Sequence, residues 1–289
     1  MDFDSAGAAL LDYLAAQAAR ITTEEHRVRH REPDSVHQLR IAARRHRSAL
    51  QAYRRLLDRE QIDPLIDSLR ILGRRLAPAR DAEVMKERIS AGVAALPPEL
   101  AMGPVSAQVA RHFGRLEAEA RDETLAALDS ADHEDLLRRL DELLQQPAFT
   151  ERAARPAETE LPKHVARAAR RWKRAMASAI DTGEDTALHE ARKAGKRLRY
   201  AAEVARPVVG KPAKRFMNGV KAVHSVLGEH QDTVVARATL RELGAKGENG
   251  FAYGVLHGKD AARADHLKAA LPAAWTSAWK PKRRRWLGA

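Results

Sequence analysis

The 289-residue chain contains no cysteine. That excludes disulfides and thiolate metal sites, and it fits a reducing compartment. Aromatic residues make up only 4%. The apolar 44% therefore rests on alanine and leucine, a balance that favours helices over sheets. No run of about 18 apolar residues occurs, so no membrane span is expected. The opening MDFDSAGAALLDYLAAQAAR carries acids and breaks its apolar run too early for a signal peptide. A soluble, cytoplasmic protein is the expectation. Acidic charge is also scarce: 39 Asp and Glu stand against 51 Lys and Arg, a net charge of +12. Such an excess says little about fold and points to a polyanionic partner.

Apolar residues recur at helical spacing almost throughout, and no alternating strand pattern stands out. The expected class is all-α, with helices near 5–20, 34–58, 61–76, 79–95, 104–128, 133–146, 162–180, 186–206, 211–228, 231–243 and 250–270. A break around 145–163 separates two halves, about 1–145 and 162–275, followed by a basic tail over 276–289. The halves resemble each other. His37, Arg40, Arg44, Arg45 and Arg47 match His189, Arg192, Lys196, Arg197 and Arg199 at a constant offset of 152. LAPARD at 76–81 matches LGEHQD at 227–232 at an offset of 151. Each half opens with a basic helix. This pattern reads as duplication of a helical unit, with two bundles of about four helices related by a pseudo-twofold axis.

On a helix, positions 37, 40, 44 and 47 fall within about 80° of one another and form a stripe. Leu39, His46, Leu50, Tyr53 and Leu57 gather on an adjacent side for burial, and Arg45 points away from the stripe. In the second copy His189, Arg192, Lys196 and Arg199 share the stripe, with Ala191, Leu198, Ala202 and Ala205 as the packing side. Both histidines lie near a helix start, with Pro33 expected in one first turn and Asp185 expected as the other cap. A cationic stripe beginning at free amides and a positive dipole end suits phosphate, and the arginine fork matches its oxygens in pairs.

A charge run on a helix is usually a solvated face, balanced by acids one turn away. Here the balance is missing: residues 37–59 hold seven arginines and one acid, whereas residues 117–142 hold ten acids and three basic residues. One such stripe alone would read as surface; two at matching places favour a site. ADHED at 131–135 reads as helix capping rather than a metal cluster. Asp81 and Asp232 read as caps of the next helix or as groups that orient an arginine.

VHQLRIAARRHRSAL, LHEARKAGKRLRYAAE, LGEHQD and LAPARD, with the ending LPAAWTSAWKPKRRRW, resemble the CHAD family, the conserved histidine α-helical domain. The likeness spans nearly the whole chain. It implies an all-helical domain with a basic central groove between two related units, binding of inorganic polyphosphate, and association with polyphosphate granules; the basic stripes themselves lead to the expectation that this binding is non-catalytic. The residues carried over are the ten of the two motifs. Secondary contacts are expected from Arg20, Arg167, Arg170, Arg171, Lys214 and Lys221. Many relatives carry an N-terminal triphosphate-tunnel domain, so this chain is expected to be a stand-alone module. His224 and His230 stand where amides are expected and add pH sensitivity. If His37 and His189 meet phosphate, affinity should rise below about pH 6.5.

Two other functions compete. KPKRRR at 280–285 suits nucleic acid as well as it suits a solvated tail. A phosphohydrolase would need carboxylates for a metal, and the stripes offer none; a Gly-rich phosphate loop is also missing. No cofactor or metal is expected.

Overall fold

The structure is a computed structural model that describes residues 3–246 and 250–288. Its helices are α1 (Ala6–Arg29), α2 (Ser35–Tyr53), α3 (Arg59–Arg75), α4 (Ala77–Ala94), α5 (Val105–Leu128), α6 (Ala131–Gln145), α7 (Ala157–Thr182), α8 (Asp185–Val209), α9 (Lys211–Lys246), α10 (Phe251–Ala278) and the short α11 (Pro281–Arg284). Among the described residues there is no strand, only an isolated antiparallel bridge between Leu57 and Phe149. The all-α expectation holds.

Several boundaries differ from those read off the sequence. α1 continues to Arg29 because its buried side keeps helical spacing through Leu10, Leu14, Ile21 and Val28. The helices expected at 211–228 and 231–243 are one 36-residue helix, α9. The first half has a break at the matching place, Leu76, between α3 and α4. The reason lies in LAPARD against LGEHQD. Pro78 lacks the N–H that would bond the carbonyl four residues back, whereas Glu229 at the matching position has one. Pro33 lies outside α2, whose N-cap is Asp34 at φ 60°. Glu184, not Asp185, caps α8. At ADHED the cap is Ser130, whose hydroxyl accepts from the His133 amide, and Asp135 instead pairs with Arg138 and Arg139.

α2 packs on α1 and crosses α8, which packs in turn on α7 and α9. The Tyr53 hydroxyl donates to the Ala201 carbonyl across this crossing, at 2.7 Å. One large apolar core draws on α1–α3, α6–α9 and the end of α10, with Leu10, Leu50, Leu140, Trp172, Leu198 and Phe216 among its members. A second core joins α4, α5, the end of α9 and the start of α10 through Met85, Phe113, Leu240 and Tyr253. Leu76 and Leu227 are the last members of the large core along α3 and α9, while Ala82 and Ala236 open the small one. The matched LAPARD and LGEHQD pieces therefore run along the seam between the two cores.

The tail keeps most of its cations exposed but is anchored to the fold at both ends. α10 runs on to Ala278, and Trp275 and Trp279 stack at 4.7 Å while meeting Trp172 edge-on. After α11 a 3-10 turn buries Leu287 and sets Trp286 edge-on to Phe216 at 5.9 Å. The bulk of Trp172 also explains Gly195 within the second motif: a Cβ there would lie 3.0 Å from the indole Nε1.

Candidate functional site

The crossing of α2 and α8 brings the two cationic stripes together. The Tyr200 hydroxyl, on α8, accepts from Arg44 Nε at 3.0 Å and from Arg199 Nη2 at 3.1 Å. Arg199 also lies over the Tyr200 ring, 4.8 Å from its centroid. Lys196 is half-buried here. Burial first, and then the charges of Arg192, Arg44, Arg199 and Arg40, push its ammonium down to about 7. Arg40 and Arg44 come from the first half, the others from the second, so one lysine feels both stripes. His224, from α9, is held at about 3 by burial and by Lys196, Arg192, Arg199 and Arg44.

Around this centre each stripe is braced by the seam pieces. Arg40 Nη1 donates to the Ala77 carbonyl at 2.9 Å and lies 3.3 Å from Asp81. Arg192 packs over Gly228, where a Cβ would stand 3.8 Å from its Nε, and is subject to the charge of Asp232. Asp81 and Asp232 lie inside α4 and α9 and do not cap helices; Asp81 pairs with Arg40, and Asp232 acts on Arg192 through its charge. Burial raises the Asp232 carboxyl despite the opposing pull of Arg192. His189 Nδ1 sits 2.7 Å from Gln231 Oε1, which accepts from it when that nitrogen carries the proton. His37 has no such amide; burial and then Arg80 hold its pKa below the ordinary histidine value.

The remaining motif residues divide. Arg47 passes near Gly73, where a Cβ would stand 4.0 Å from its Nη1, and its electrostatic neighbours are Arg197, Arg44, Arg70 and Arg74, which continues the positive surface onto α3. Arg45 turns away, as its place on the helix implies, and pairs with Glu203 at 3.1 Å. Arg199 shares that carboxylate at 3.5 Å, and the Tyr13 hydroxyl donates to it at 3.1 Å. Two cross-pairs result, Arg45 beside Arg199 and Arg47 beside Arg197, and each joins non-matching members of the two motifs.

Of the secondary candidates, Arg167, Arg170 and Arg171 group with Arg55 and Arg152, as the charges acting on Arg167 show. That patch is built from different residues than the cluster around Lys196. Arg20, Lys214 and Lys221 are exposed and form no ion pair among the described residues. His46 is fully buried and held neutral near 3 by burial. His230 faces Asp185 at 3.4 Å, in a group completed by Lys268 and Arg237, and not the cluster that contains His224. Among the described residues no three His, Asp or Glu side chains converge in a way that would hold a metal ion, and no helix is long and apolar enough to cross a membrane.

Sequence reasoning passed over Arg80, Gln231 and Tyr200. A signal existed for the first two, since the 151-residue offset aligns Arg80 with Gln231 and sets one beside each motif histidine. Tyr200 carried none, because only the packing of α2 on α8 brings Arg44 to a hydroxyl that already holds its neighbour Arg199.

The CHAD domain family model matches residues 12–241. Two Mycobacterium tuberculosis proteins, Uncharacterized protein MT2285 and Uncharacterized protein Rv2226, are each 33% identical to the chain over 248 residues, 83% of its length. The chain spans about half of each of those relatives, 47%. Among solved structures, PptA from Streptomyces chartreusis superposes with a TM-score of 0.78 at 23% identity, over 94% of this chain and 99% of that one. The CHAD domain from the plant Ricinus communis superposes at 0.75 and 24% identity, over 96% and 94%.

Proposed function

The chain belongs to the CHAD domain family, which is associated with polyphosphate, and from that premise we propose that it binds inorganic polyphosphate, without turning it over, in a basic groove where α2 and α8 cross. One observation carries the reading: Lys196 is half-buried among Arg40, Arg44, Arg192 and Arg199 and pushed down to about 7. Cations gathered this closely repel one another, and a ligand negative at every unit relieves that repulsion along its whole length. The arginine forks bind phosphate oxygens in pairs, Tyr200 and Ala77 hold the forks in place, and each neutralised phosphate releases counterions. Asp81, Asp232 and Glu203 face arginines, which favours binding over metal-assisted hydrolysis. Association with polyphosphate granules follows if the bound chain is part of one.

The duplication reading supports a groove with two related walls. α3 and α4 together run over 59–94 and α9 over 211–246, the same span displaced by 152. The crossed arginine pairs are what a twofold axis through the α2–α8 contact would generate.

Calorimetric titration with polyphosphate at two salt concentrations tests the proposal. Log affinity should fall linearly against log salt, with a slope of about −0.7 per phosphate contact on the single-strand analogy. Single-stranded DNA of equal charge should compete poorly, and chain length should be unchanged after incubation with Mg²⁺. Equal competition by DNA would favour a general nucleic-acid binder, and shortened chains would favour an enzyme.

The pH response should differ from the one expected of two ordinary histidines. Because Lys196 is pushed down to about 7, it loses its proton above that pH in the free protein. A bound polyanion raises its pKa, so binding takes up a proton above pH 7 and affinity falls as pH rises toward 9, by up to about tenfold per pH unit. Below 7 the lysine is charged in both states and contributes no slope. His37, already held low, adds its tightening below its ordinary range. Titrations at pH 7, 8 and 9 read this directly, and Lys196→Arg should flatten the alkaline slope. A wild-type affinity constant from 7 to 9 would remove Lys196 from the site.

A further inference from the structure

The segment after α10 folds back on α9 and closes a depression of about 690 Å³. Five cations line it: Arg215 from α9, then Lys280, Lys282, Arg283 and Arg285. Its apolar lining is Pro212 and the indole of Trp286. None of the five cations pairs with a carboxylate among the described residues, and the Arg283 guanidinium instead donates to the Arg215 carbonyl at 2.9 Å. That bond, the buried Leu287 and the contact of Trp286 with Phe216 hold the depression in shape. The charge is not forced by the fold. At the 152-residue offset, Pro212 and Arg215 correspond to Glu60 and Asp63 on α3, and Asp63 pairs with Arg54.

An inorganic phosphate chain has nothing to lay on an indole, so an apolar wall beside unpaired cations asks for a ligand with both a flat apolar group and several phosphates. The volume lies within the range of small-molecule sites. We propose that this depression is a second site, distinct in its residues from the α2–α8 cluster, and that it takes a nucleoside triphosphate. The base lies against Trp286 and Pro212 while the phosphates meet Lys280, Lys282 and Arg285. The proposal does not depend on polyphosphate being the ligand of the central cluster.

Calorimetry of the full chain with ATP, and with inorganic triphosphate as the base-free control, tests it. In Arg44→Glu/Lys196→Glu, whose central cluster is disabled, ATP affinity should stay within about threefold of wild type, less than one lost charge-assisted contact would change it. In Lys282→Glu/Arg285→Glu it should fall by at least about tenfold, as expected for two reversed phosphate contacts. Both residues are exposed, so helicity should be unchanged. The milder Lys282→Ala/Arg285→Ala should give an intermediate loss, and in Arg44→Glu/Lys196→Glu, where the central cluster no longer competes for it, inorganic triphosphate should bind at least about tenfold more weakly than ATP for want of stacking. The site is refuted if wild type does not bind ATP, if ATP binding is lost with the central variant and kept by the tail variants, or if inorganic triphosphate binds Arg44→Glu/Lys196→Glu as tightly as ATP does.

Discussion

Arg44→Glu combined with Lys196→Glu should abolish retention on immobilised polyphosphate and leave the far-ultraviolet circular dichroism of the protein unchanged. Each replaced cation removes a charge-assisted phosphate contact worth about 1.5–3 kcal/mol, and reversal adds repulsion, so the loss should exceed about 100-fold. The fold should tolerate both changes. Arg44 is half-buried with one hydrogen bond, to the Tyr200 hydroxyl, and that hydroxyl keeps Arg199 as a donor. Glutamate at 196 would enter a ring of four arginines and neutralise part of their repulsion. Lys196→Glu alone is therefore expected to raise the melting temperature while weakening binding, the opposed pair of effects expected where a binding site is kept at the expense of stability. Retention equal to wild type in the double variant would overturn the site, and a lowered melting temperature in Lys196→Glu would mean that the cations around it are not mutually repulsive.

Trp172→Ala should cost about 3–5 kcal/mol in urea unfolding, the range for removing a buried indole. Trp172 is 1% exposed and meets Trp275 at 4.9 Å and Trp279 at 5.8 Å, so it joins α7 to the end of α10. It also abuts Gly195, next to Lys196 on α8. The cavity left behind would free α8 to shift, and polyphosphate affinity should fall together with stability. A loss below about 1 kcal/mol would place the tryptophan cluster outside the structural core.

The central cluster was largely legible from residue order, because its information is local. The spacing of His37, Arg40, Arg44 and Arg47 puts them on one stripe of any α-helix, and the repeat at 189–199 does the same. The sideways direction of Arg45 and the burial of His46 followed from the same wheel. The seam acids were legible only as alternatives: Asp81 and Asp232 qualified equally as caps or as arginine partners until the extent of α4 and α9 placed both inside helices. Boundaries were read less well. The end of α1 was placed too early and α9 was divided in two, since helix ends depend on packing as well as on composition.

The anchoring of the tail escaped residue order for a different reason. KPKRRR is polar enough to read as solvated, yet Trp286 and Leu287 after it find Phe216 and the large core. Arg167, Arg170 and Arg171 were expected as secondary contacts because they lie on the basic helix that opens the second half; that Arg55 and Arg152, distant in the chain, are their neighbours was not legible there.

Helical class, the repeat and the cationic stripes needed nothing beyond residue type and a period of 3.6, because each is a property of one segment and its spacing. Which stripes face each other, how far Lys196 is displaced from an ordinary lysine, and what the last residues cover arise between segments far apart in the chain. Burial and Coulomb energy depend on distances across helix crossings, and those distances exist only once the cores have packed.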